Sequence, residues 1–382
     1  MQVGRVVLVT PRLIKRDGQG RVNYEIVRRH LSLGGSVTAL ARDVAPELLQ
    51  ERGFRWVPMG GIPSLPTSLL RSQAFSVQAA RWLARYRTHA DVVHANGSVT
   101  LATTDVNSCH FVHTAWGASA AHTSRSSRTA YGFYHRMLTM LHARQEAIAY
   151  ARARYVVAVS EQVRTQLVAI GVAEEKISVI WNGIDVNEFT PGMADRAALG
   201  LPREGFLALF AGDMRTPRKN LDTVLEAIRR VSAVHLIVAG DLRKNPYPAK
   251  VAEMGLAERV TFLGFRPDIA SVMRAVDAFV YPARYEPLGL VVLEALASGL
   301  PVLTASTTGA SELVDESCGL VVSDPNDADA LALWLKRLTV DTPTRRRMGE
   351  AARERALGHT WERMAKEYTD LYERILAQRC RF

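Results

Sequence analysis

Cysteine and long apolar runs are scarce in this chain. Of its 382 residues only Cys109, Cys318 and Cys380 are cysteines, so they cannot all pair, and they lack the spacing of metal ligands. No run of 18 apolar residues is present, which predicts no membrane-spanning helix. The first ten residues predict a strand rather than a signal peptide. These features exclude a disulfide scaffold and favour a cytoplasmic, reducing location.

Negative charge is scarce in one region. Between Arg52 and Arg154 there are 12 arginines, no lysine and only three acids. Residues 1 to 190 carry 22 Lys and Arg against 13 Asp and Glu, whereas residues 191 to 382 carry 26 against 25. A basic surface on the first half predicts an acidic partner: nucleic acid, anionic lipid or a phosphorylated acceptor. With lipid as the partner, the protein would lie peripherally on the inner face of the cytoplasmic membrane.

Short apolar runs alternate with longer amphipathic stretches, which is typical of parallel α/β sheets. The alternation occurs twice, and the length fits two domains. A turn dipeptide at Asn182-Gly183 and a polar stretch after it place the boundary between residues 185 and 186. We therefore predict domains at 1–185 and 186–359, with a last helix within 360–382. The predicted strands are Val3–Val9, Ser36–Leu40, Asp91–His94, Tyr155–Val159, Phe206–Phe210, Val234–Ala239, Val260–Leu263, Ala278–Tyr281 and Pro301–Leu303.

The most informative segment is 281–301, where two carboxylates follow a predicted strand. Glu286 and Glu294 are separated by seven residues, and a helix is predicted from Gly289 to Ser298. Eight helical steps would span roughly 12 Å, which suits the distance from the sugar to the ribose of a nucleotide sugar. The N–H groups of Leu288, Gly289 and Leu290 would lack intrahelical partners and would form an anion site suited to a diphosphate.

Two other strand-to-helix turns carry candidate phosphate ligands. In the segment 211–221, Lys219 falls in the first turn of a predicted helix, where the helix dipole disfavours a cation. This placement indicates that it is held for an anion, with Arg218 or Arg215 as its partner. The segment 17–22 contains Gly18 and Gly20 after the first predicted strand, where parallel sheets bind ligands.

The segment 281–301 resembles the donor-binding motif of retaining GT-B glycosyltransferases, specifically glycosyltransferase family 4. The resemblance is sharp over residues 205 to 320 and diffuse over the first 180. It implies the GT-B fold, two Rossmann-like domains facing across a cleft, with the last helix crossing back onto the N-terminal domain.

The resemblance also implies roles for the candidate residues. Glu286 would lie against the donor sugar hydroxyls, and Glu294 would accept hydrogen bonds from the ribose. Lys219 and an arginine would hold the donor diphosphate. The family has that arginine directly after the glycine, where this chain has Asp213, so we favour Arg218 over Arg215 as its replacement. The loop at Gly18 and Gly20 would close over the donor phosphate.

Histidines cluster in the first half, and His113 ends an apolar run. By resemblance His113 points at the donor sugar, His110 is the competing residue, and His94 lines the same cleft. The segment 309–313 resembles a family element that packs near the sugar.

The predicted activity is retaining transfer of a hexosyl group from a nucleoside-diphosphate sugar, UDP favoured over GDP, to a saccharide or lipid-linked acceptor. Exopolysaccharide, lipopolysaccharide or cell-envelope glycan synthesis would fit. We predict no cofactor and no metal, and we interpret Asp327 and Asp329 as the start of a helix. Two alternatives are a nucleotide-sugar 2-epimerase of the same fold, for which we find no acid/base carboxylates, and a basic nucleic-acid-binding module, for which we find no motif.

Overall fold

The computed structural model describes residues 4–15, 17–60, 67–126, 129–243 and 245–379. The chain divides into two compact units. Unit 1 comprises Met1–Ala118, Arg128–Gly183 and Trp361–Phe382, and unit 2 comprises Ser119–Ser127 and Ile184–Thr360. The division falls at Gly183 and Ile184, two residues before the boundary predicted from the sequence.

The strands and helices alternate along the chain. The strands are β1 (Arg5–Val9), β2 (Arg12–Leu13), β3 (Ser36–Ala41), β4 (Asp43–Val44), β5 (Phe54–Pro58), β6 (Val92–Asn96), β7 (Thr104–Cys109), β8 (Ala153–Ala158), β9 (Ile177–Val179), β10 (Phe206–Ala211), β11 (Val234–Ala239), β12 (Val260–Gly264), β13 (Ala278–Tyr281), β14 (Val302–Ala305) and β15 (Gly319–Val322). The helices are α1 (Gly18–Ser32), α2 (Ser68–Tyr86), α3 (His113–Ala118), α4 (Thr123–Ser126), α5 (Ala130–Ala151), α6 (Glu161–Ala169), α7 (Leu221–Arg230), α8 (Tyr247–Glu253), α9 (Ile269–Met273), α10 (Leu290–Ala297), α11 (Ala328–Val340), α12 (Thr342–Leu357) and α13 (Trp361–Arg379).

Unit 1 is built on a seven-stranded parallel sheet in the order β5-β3-β1-β6-β7-β8-β9. Its central strands β1, β6 and β7 are buried apart from Arg5, as expected where helices cover both faces. The chain runs outward from β1 in one direction and then returns to add β6 on the other side. The gap between the carboxyl ends of β1 and β6 is therefore a topological switch point.

The last helix, α13, belongs to unit 1 and completes its core. Its inner face packs with α1 and β1, and Tyr368 and Tyr372 are almost fully buried there. Both hydroxyls join a buried polar network, because Tyr372 contacts His94 Nδ1 at 2.6 Å and Tyr368 contacts Ser108 Oγ at 2.9 Å. The terminal segment is thus part of the N-terminal fold although it comes last in the sequence.

Unit 2 repeats the same topology with a six-stranded parallel sheet in the order β12-β11-β10-β13-β14-β15. Here the switch point lies between β10 and β13. Two parallel α/β sheets of this kind confirm the predicted GT-B class of fold. The predicted strands are present within a few residues of their predicted ends, and so are the helices predicted at 65–87, 131–152, 221–231, 268–276, 289–298, 327–339 and 360–378. Residues 3, 65 and 66 of these predictions lie outside the described part.

Several elements were missed by the sequence analysis. Six strands (β2, β4, β5, β7, β9 and β15) and the helices α3, α4, α6, α8 and α12 were not predicted. Strand β7 reads Thr-Asp-Val-Asn-Ser-Cys, and its polar residues are buried; Asp105, Asn107 and Ser108 form hydrogen bonds within unit 1. Within the described residues, no helix is both long enough and apolar enough to cross a membrane.

Candidate active site

In unit 2 the loops that follow β10 and β13 meet at the carboxyl edge of the sheet. They cover residues 212–220 and 282–289, and they come from the two strands that flank the switch point. Open parallel sheets bind ligands at this position, because the two loops diverge there and leave a crevice. Each loop carries charged side chains that the sequence analysis selected.

Lys219 and Glu286 are in direct contact across this crevice. The Lys219 Nζ atom forms an ion pair with Glu286 Oε2, and Arg218 Nη1 lies 3.6 Å from the same oxygen. The Tyr281 hydroxyl also donates a hydrogen bond to it at 3.0 Å. Burial lowers the pKa of Lys219, the charge of Arg218 adds to this, and Asp213 opposes it. The contact with Glu286 likewise favours the charged ammonium, so the two partly buried groups stabilise each other's charge.

Asn220 explains why Lys219 occupies this position. It adopts a left-handed conformation with φ of 65°, which Asn tolerates better than most residues, between the single turn Pro217–Lys219 and helix α7. Its side-chain amide donates to the carbonyls of Pro282 and Pro325 at 2.9 and 2.6 Å, and its Oδ1 accepts from Thr223. The residue caps the helix and ties the two loops together.

The start of α10 presents unused backbone donors beside this ion pair. Within the described residues, the N–H groups of Leu288, Gly289 and Leu290 donate no hydrogen bond; Leu290 is the first residue of α10, and the other two directly precede it. Gly289 has φ of 91°, and a Cβ there would lie 3.0 Å from Thr308 Cγ2, so a larger residue would be strained and crowded.

The loop at residues 282–289 is hydrogen-bonded to the turn Gly309–Leu313. This turn is the segment predicted to pack near the sugar. Its first two N–H groups donate to the carbonyls of Glu286 and Leu288 at 2.9 and 2.7 Å. The sequence prediction of eight helical steps between the carboxylates is wrong, because the helix begins only at Leu290. Glu286 stands on an extended segment that bridges to Thr308.

Glu294 lies on α10, one turn after the free N–H groups. Its side chain is only partly accessible, and no group in the described part of the chain donates a hydrogen bond to it. Burial, followed by the nearby Glu188 carboxylate, raises the pKa of Glu294 to about 7. The charged form of this largely shielded carboxylate is therefore destabilised in the structure as described.

Unit 1 contains a cavity of about 850 Å³ at its own switch point. Arg12 follows β1 there, Asn96 and Gly97 follow β6, and His110 and His113 follow β7. The Oδ1 atom of Asn96 and the Nε2 atom of His110 are buried without a hydrogen-bond partner. Burial lowers the pKa of His110 to about 4, so its ring is neutral and can accept or donate a hydrogen bond.

His113 is held by a buried glutamate at the edge of this cavity. Glu146 of α5 contacts the ring through His113 Nδ1 and accepts from its backbone N–H at 2.8 Å. The ring of His142 lies 4.9 Å away, and burial together with the charge of His113 lowers the pKa of His142 to about 4. The bond to Glu146 fixes the orientation of the His113 imidazole.

Comparison with known proteins identifies the family. Residues 193–355 match the family described as glycosyl transferases group 1, and residues 16–188 match glycosyltransferase family 4. The D-inositol 3-phosphate glycosyltransferase of Nocardia farcinica is 32% identical over 333 residues, covering 82% of this chain and 72% of that protein. The chain belongs to the GT-B glycosyltransferases of the family 4 type.

Other relatives match a smaller part of this chain. The D-inositol 3-phosphate glycosyltransferase of Stackebrandtia nassauensis is 34% identical over 224 residues, or 54% of this chain and 50% of that protein. The lipopolysaccharide core biosynthesis glycosyltransferase LpsE of Rhizobium meliloti is 33% identical over 187 residues, or 48% and 54%. The chain thus spans about half the length of several of the relatives that it matches.

Solved structures agree on the fold. Sucrose-phosphate synthase from Thermosynechococcus elongatus has a TM-score of 0.79 at 21% identity, covering 98% of this chain and 99% of that one. HepE from Anabaena, solved in complex with UDP and glucose, has a TM-score of 0.71 at 20% identity, covering 96% and 98%. At these identities the likeness establishes the GT-B architecture alone.

The predicted site residues fall into two groups. Lys219, Arg218, Glu286, Glu294 and the N–H groups of residues 288–290 gather at the switch point of unit 2. Gly18 and Gly20 open helix α1 in unit 1, where Asp17 caps the helix by accepting from Gly20 N at 2.8 Å.

Arg215 and His94 do not occupy the predicted positions. Arg215 is largely exposed and forms a two-bond ion pair with Asp213, at 2.9 and 2.8 Å, instead of reaching Glu286. His94 is fully buried between Ser108 and Tyr372, so the expectation that it lines a cleft is wrong. Asp327 caps α11 by accepting from Ala330 N at 2.8 Å, as predicted.

Three residues at these sites were missed: Tyr281, Asn220 and Glu146. A helix-capping pattern marks Asn220, because Asn precedes the first residue of α7. A stronger signal marks Glu146, the one acid in an otherwise basic stretch of α5. Neither pattern by itself reveals the contact that the residue makes.

Proposed function

We propose that this protein is a retaining hexosyltransferase that takes its sugar from a nucleoside-diphosphate sugar. The observation that carries the proposal is the arrangement at the switch point of unit 2. Two cations, a partly buried glutamate, three free N–H groups and an unpaired glutamate lie along one crevice. A nucleoside-diphosphate sugar offers a matching series of groups: sugar hydroxyls, a diphosphate and a ribose diol.

Each end of the donor has a candidate ligand. Lys219, Arg218 and the N–H groups of residues 288–290 would bind the diphosphate, because cations and a helix N-terminus both stabilise an anion. Glu286 would accept hydrogen bonds from the sugar, and Glu294 from the ribose diol. Donor binding would replace part of the contact between Lys219 and Glu286. We favour UDP over GDP as the nucleotide, and the UDP complex of HepE supports this choice.

The proposed chemistry retains the anomeric configuration by front-face displacement. The acceptor oxygen bonds to the anomeric carbon on the face from which the diphosphate departs, and the acceptor proton passes to the leaving diphosphate. Charge develops on that diphosphate, so Lys219, Arg218 and the helix N-terminus would supply the main electrostatic stabilisation. Since these groups carry positive charge, we expect neither a metal ion nor another cofactor to be required.

Unit 1 would bind the acceptor. Its cavity offers an unpaired acceptor at Asn96 Oδ1 and an unpaired ring nitrogen at His110, beside an Arg12 that pairs with Asp17 and Asp43, and this lining suits the hydroxyl groups of a polyhydroxylated ring. His113 and the turn at Gly18 and Gly20 are proposed to act near the donor sugar and phosphate. We favour a saccharide or lipid-linked acceptor, in exopolysaccharide, lipopolysaccharide or envelope glycan synthesis. The lipopolysaccharide core glycosyltransferase LpsE supports this choice, whereas the D-inositol 3-phosphate glycosyltransferases are named for a phosphorylated polyol.

A thermal stabilisation screen tests the proposal. The full chain is heated with UDP, GDP, ADP and the glucose conjugate of each, and the unfolding midpoint is recorded. A ligand at 100 times its dissociation constant stabilises the folded protein by about 2.7 kcal/mol. We expect one nucleotide family to raise the midpoint and Glu294→Gln to reduce the rise. No shift with any nucleotide would contradict the proposal.

A further inference from the structure

The outward face of helix α5 is apolar although it is exposed. Phe133, Met137 and Met140 are 68%, 49% and 44% accessible, and Ile148 is 42% accessible. Their spacing of three, four and eight residues places them along one face of the helix. From Phe133 to Ile148 they cover 15 helical steps, or about 22 Å at 1.5 Å per residue. This face therefore forms a long apolar stripe rather than isolated exposed residues.

Helix α2 carries a second such face. Leu70 and Val77 are 44% and 48% accessible and lie two turns apart on one side of the helix. The two helices are joined side by side, because Gln73 and Gln145 exchange amide hydrogen bonds at 3.2 and 2.6 Å. Of the seventeen large apolar side chains exposed in the described part of the chain, eight belong to α2 and α5.

The arginines on these helices lack counter-charges. Arg81 and Arg85 on α2, and Arg136 and Arg144 on α5, are exposed and form no ion pair with any described residue. The two helices contain a single acid, Glu146, which is buried against His113. Most exposed arginines of unit 2 differ in this respect: Arg243 pairs with Asp241, Arg346 with Glu350 and Arg355 with Asp315.

We propose that this surface docks the protein onto an anionic phospholipid membrane. We call it the α2/α5 surface; it consists of Leu70, Val77, Arg81, Arg85, Phe133, Arg136, Met137, Met140, Arg144 and Ile148. Aromatic and aliphatic side chains would enter the headgroup region while the arginines reach the lipid phosphates, which is how interfacial helices bind. Uncompensated arginines within an acid-free apolar face complement a negatively charged lipid surface.

Binding through this surface would determine where in the cell the protein acts, and it does not depend on the residues of the donor site. A lipid-linked acceptor would be reached from the membrane surface, so this part of the interpretation rests on the proposed function. Arg128, which belongs to the same basic stretch, lies outside the described residues, and Arg125 stands on the separate short helix α4.

Vesicle co-sedimentation tests the surface. The full chain is mixed with vesicles of phosphatidylcholine alone, or of phosphatidylcholine with phosphatidylglycerol, at low and moderate salt. We expect binding to the anionic vesicles only, with a marked loss at moderate salt, because exposed charges are screened beyond roughly 10 Å at 0.1 M salt. Equal or negligible binding to both kinds of vesicle would overturn the proposal.

Two pairs of variants separate the apolar from the electrostatic contribution. Phe133→Ser with Met137→Ser should weaken vesicle binding at least about tenfold. The matched control is Leu333→Ser with Val340→Ser, two exposed residues of α11 that are 68% and 80% accessible. Arg136→Gln with Arg144→Gln should remove the preference for anionic lipid, whereas Arg346→Gln on α12 should leave it unchanged.

Two further measurements distinguish the remaining outcomes. All variants should keep the wild-type unfolding midpoint and the wild-type response to the nucleotide found in the screen. Vesicle binding without any nucleotide response would preserve the surface and contradict the proposed function. If the Phe133 and Met137 variant bound vesicles normally but lost a self-association visible by sedimentation velocity, the face would be an interface between copies and the membrane proposal would be wrong.

Discussion

Replacing Glu294 with glutamine should change stability and donor binding in opposite directions. Burial and Glu188 raise the pKa of Glu294 from its ordinary 4.5 to about 7. Between these two pH values the folded protein holds a proton that the unfolded chain releases, so folding becomes less favourable as the pH rises from 4.5 to 7. Above pH 7 the penalty is complete. At about 1.4 kcal/mol per pH unit it reaches an upper limit of about 3 kcal/mol.

Glutamine keeps the shape of the side chain and removes this penalty. Glu294→Gln should therefore be more stable than the wild type at pH 8, by up to about 3 kcal/mol, and by less than about 1 kcal/mol at pH 5. The unfolding midpoints of both proteins, measured without ligand across this range, give the comparison. A variant that is less stable than the wild type at pH 8 would refute the account of a buried carboxylate without a donor.

The same substitution should weaken the binding of the donor. The ribose diol donates to the ionised carboxylate, so wild-type affinity for UDP-glucose should fall about tenfold between pH 8 and pH 6, as the ionised fraction of a group with pKa of about 7 falls. The diphosphate ester of UDP-glucose does not titrate in this range. Glu294→Gln should bind more weakly by roughly 1–3 kcal/mol and lose this pH dependence. Titration calorimetry at several pH values decides the matter, and an unchanged profile in the variant would exclude Glu294 from the donor site.

Three other predictions follow from the two sites. Glu286→Ala should lower turnover more than nucleoside-diphosphate affinity, because the diphosphate product lacks the sugar; full turnover would show that the assignment is wrong. Activity should survive EDTA, and complete loss with rescue by Mg²⁺ or Mn²⁺ would restore Asp327 and Asp329 as metal candidates. Glu146→Gln should reduce kcat and alter its pH profile while leaving UDP-glucose affinity unchanged, because Glu146 holds the His113 ring; an unchanged kcat would limit Glu146 to a structural role.

Short apolar runs in the sequence were enough to predict most strands of the two sheets. Runs such as Val234–Ala239 and Ala278–Tyr281 are short, apolar and buried, and their bounds agree with the predictions. Strand β7 was missed because Thr104, Asp105, Asn107 and Ser108 are polar yet buried. Their partners lie far away in the sequence: Asp105 accepts hydrogen bonds from Arg87 and Val93, and Asn107 bonds to the backbone of Gly97.

The donor site was predicted in its residues but not in its contacts. A motif identifies Lys219 and Glu286, yet their separation of 67 positions hides the ion pair between them. The preference for Arg218 over Arg215 was made from the sequence, and the structure adds a reason that the sequence did not reveal: Arg215 pairs with Asp213. His94 was misplaced because its hydroxyl partner Tyr372 arrives from the last helix, 278 positions later.

The most direct test of the donor site is the binding of UDP-glucose to Lys219→Ala, measured by calorimetry. Lys219 lies at the switch point of unit 2, in contact with Glu286, whereas Lys336 is an exposed lysine on α11 that provides a matched control. We predict that Lys219→Ala binds UDP-glucose at least about tenfold more weakly and that Lys336→Ala binds as the wild type does. Equal binding by all three proteins would contradict the account.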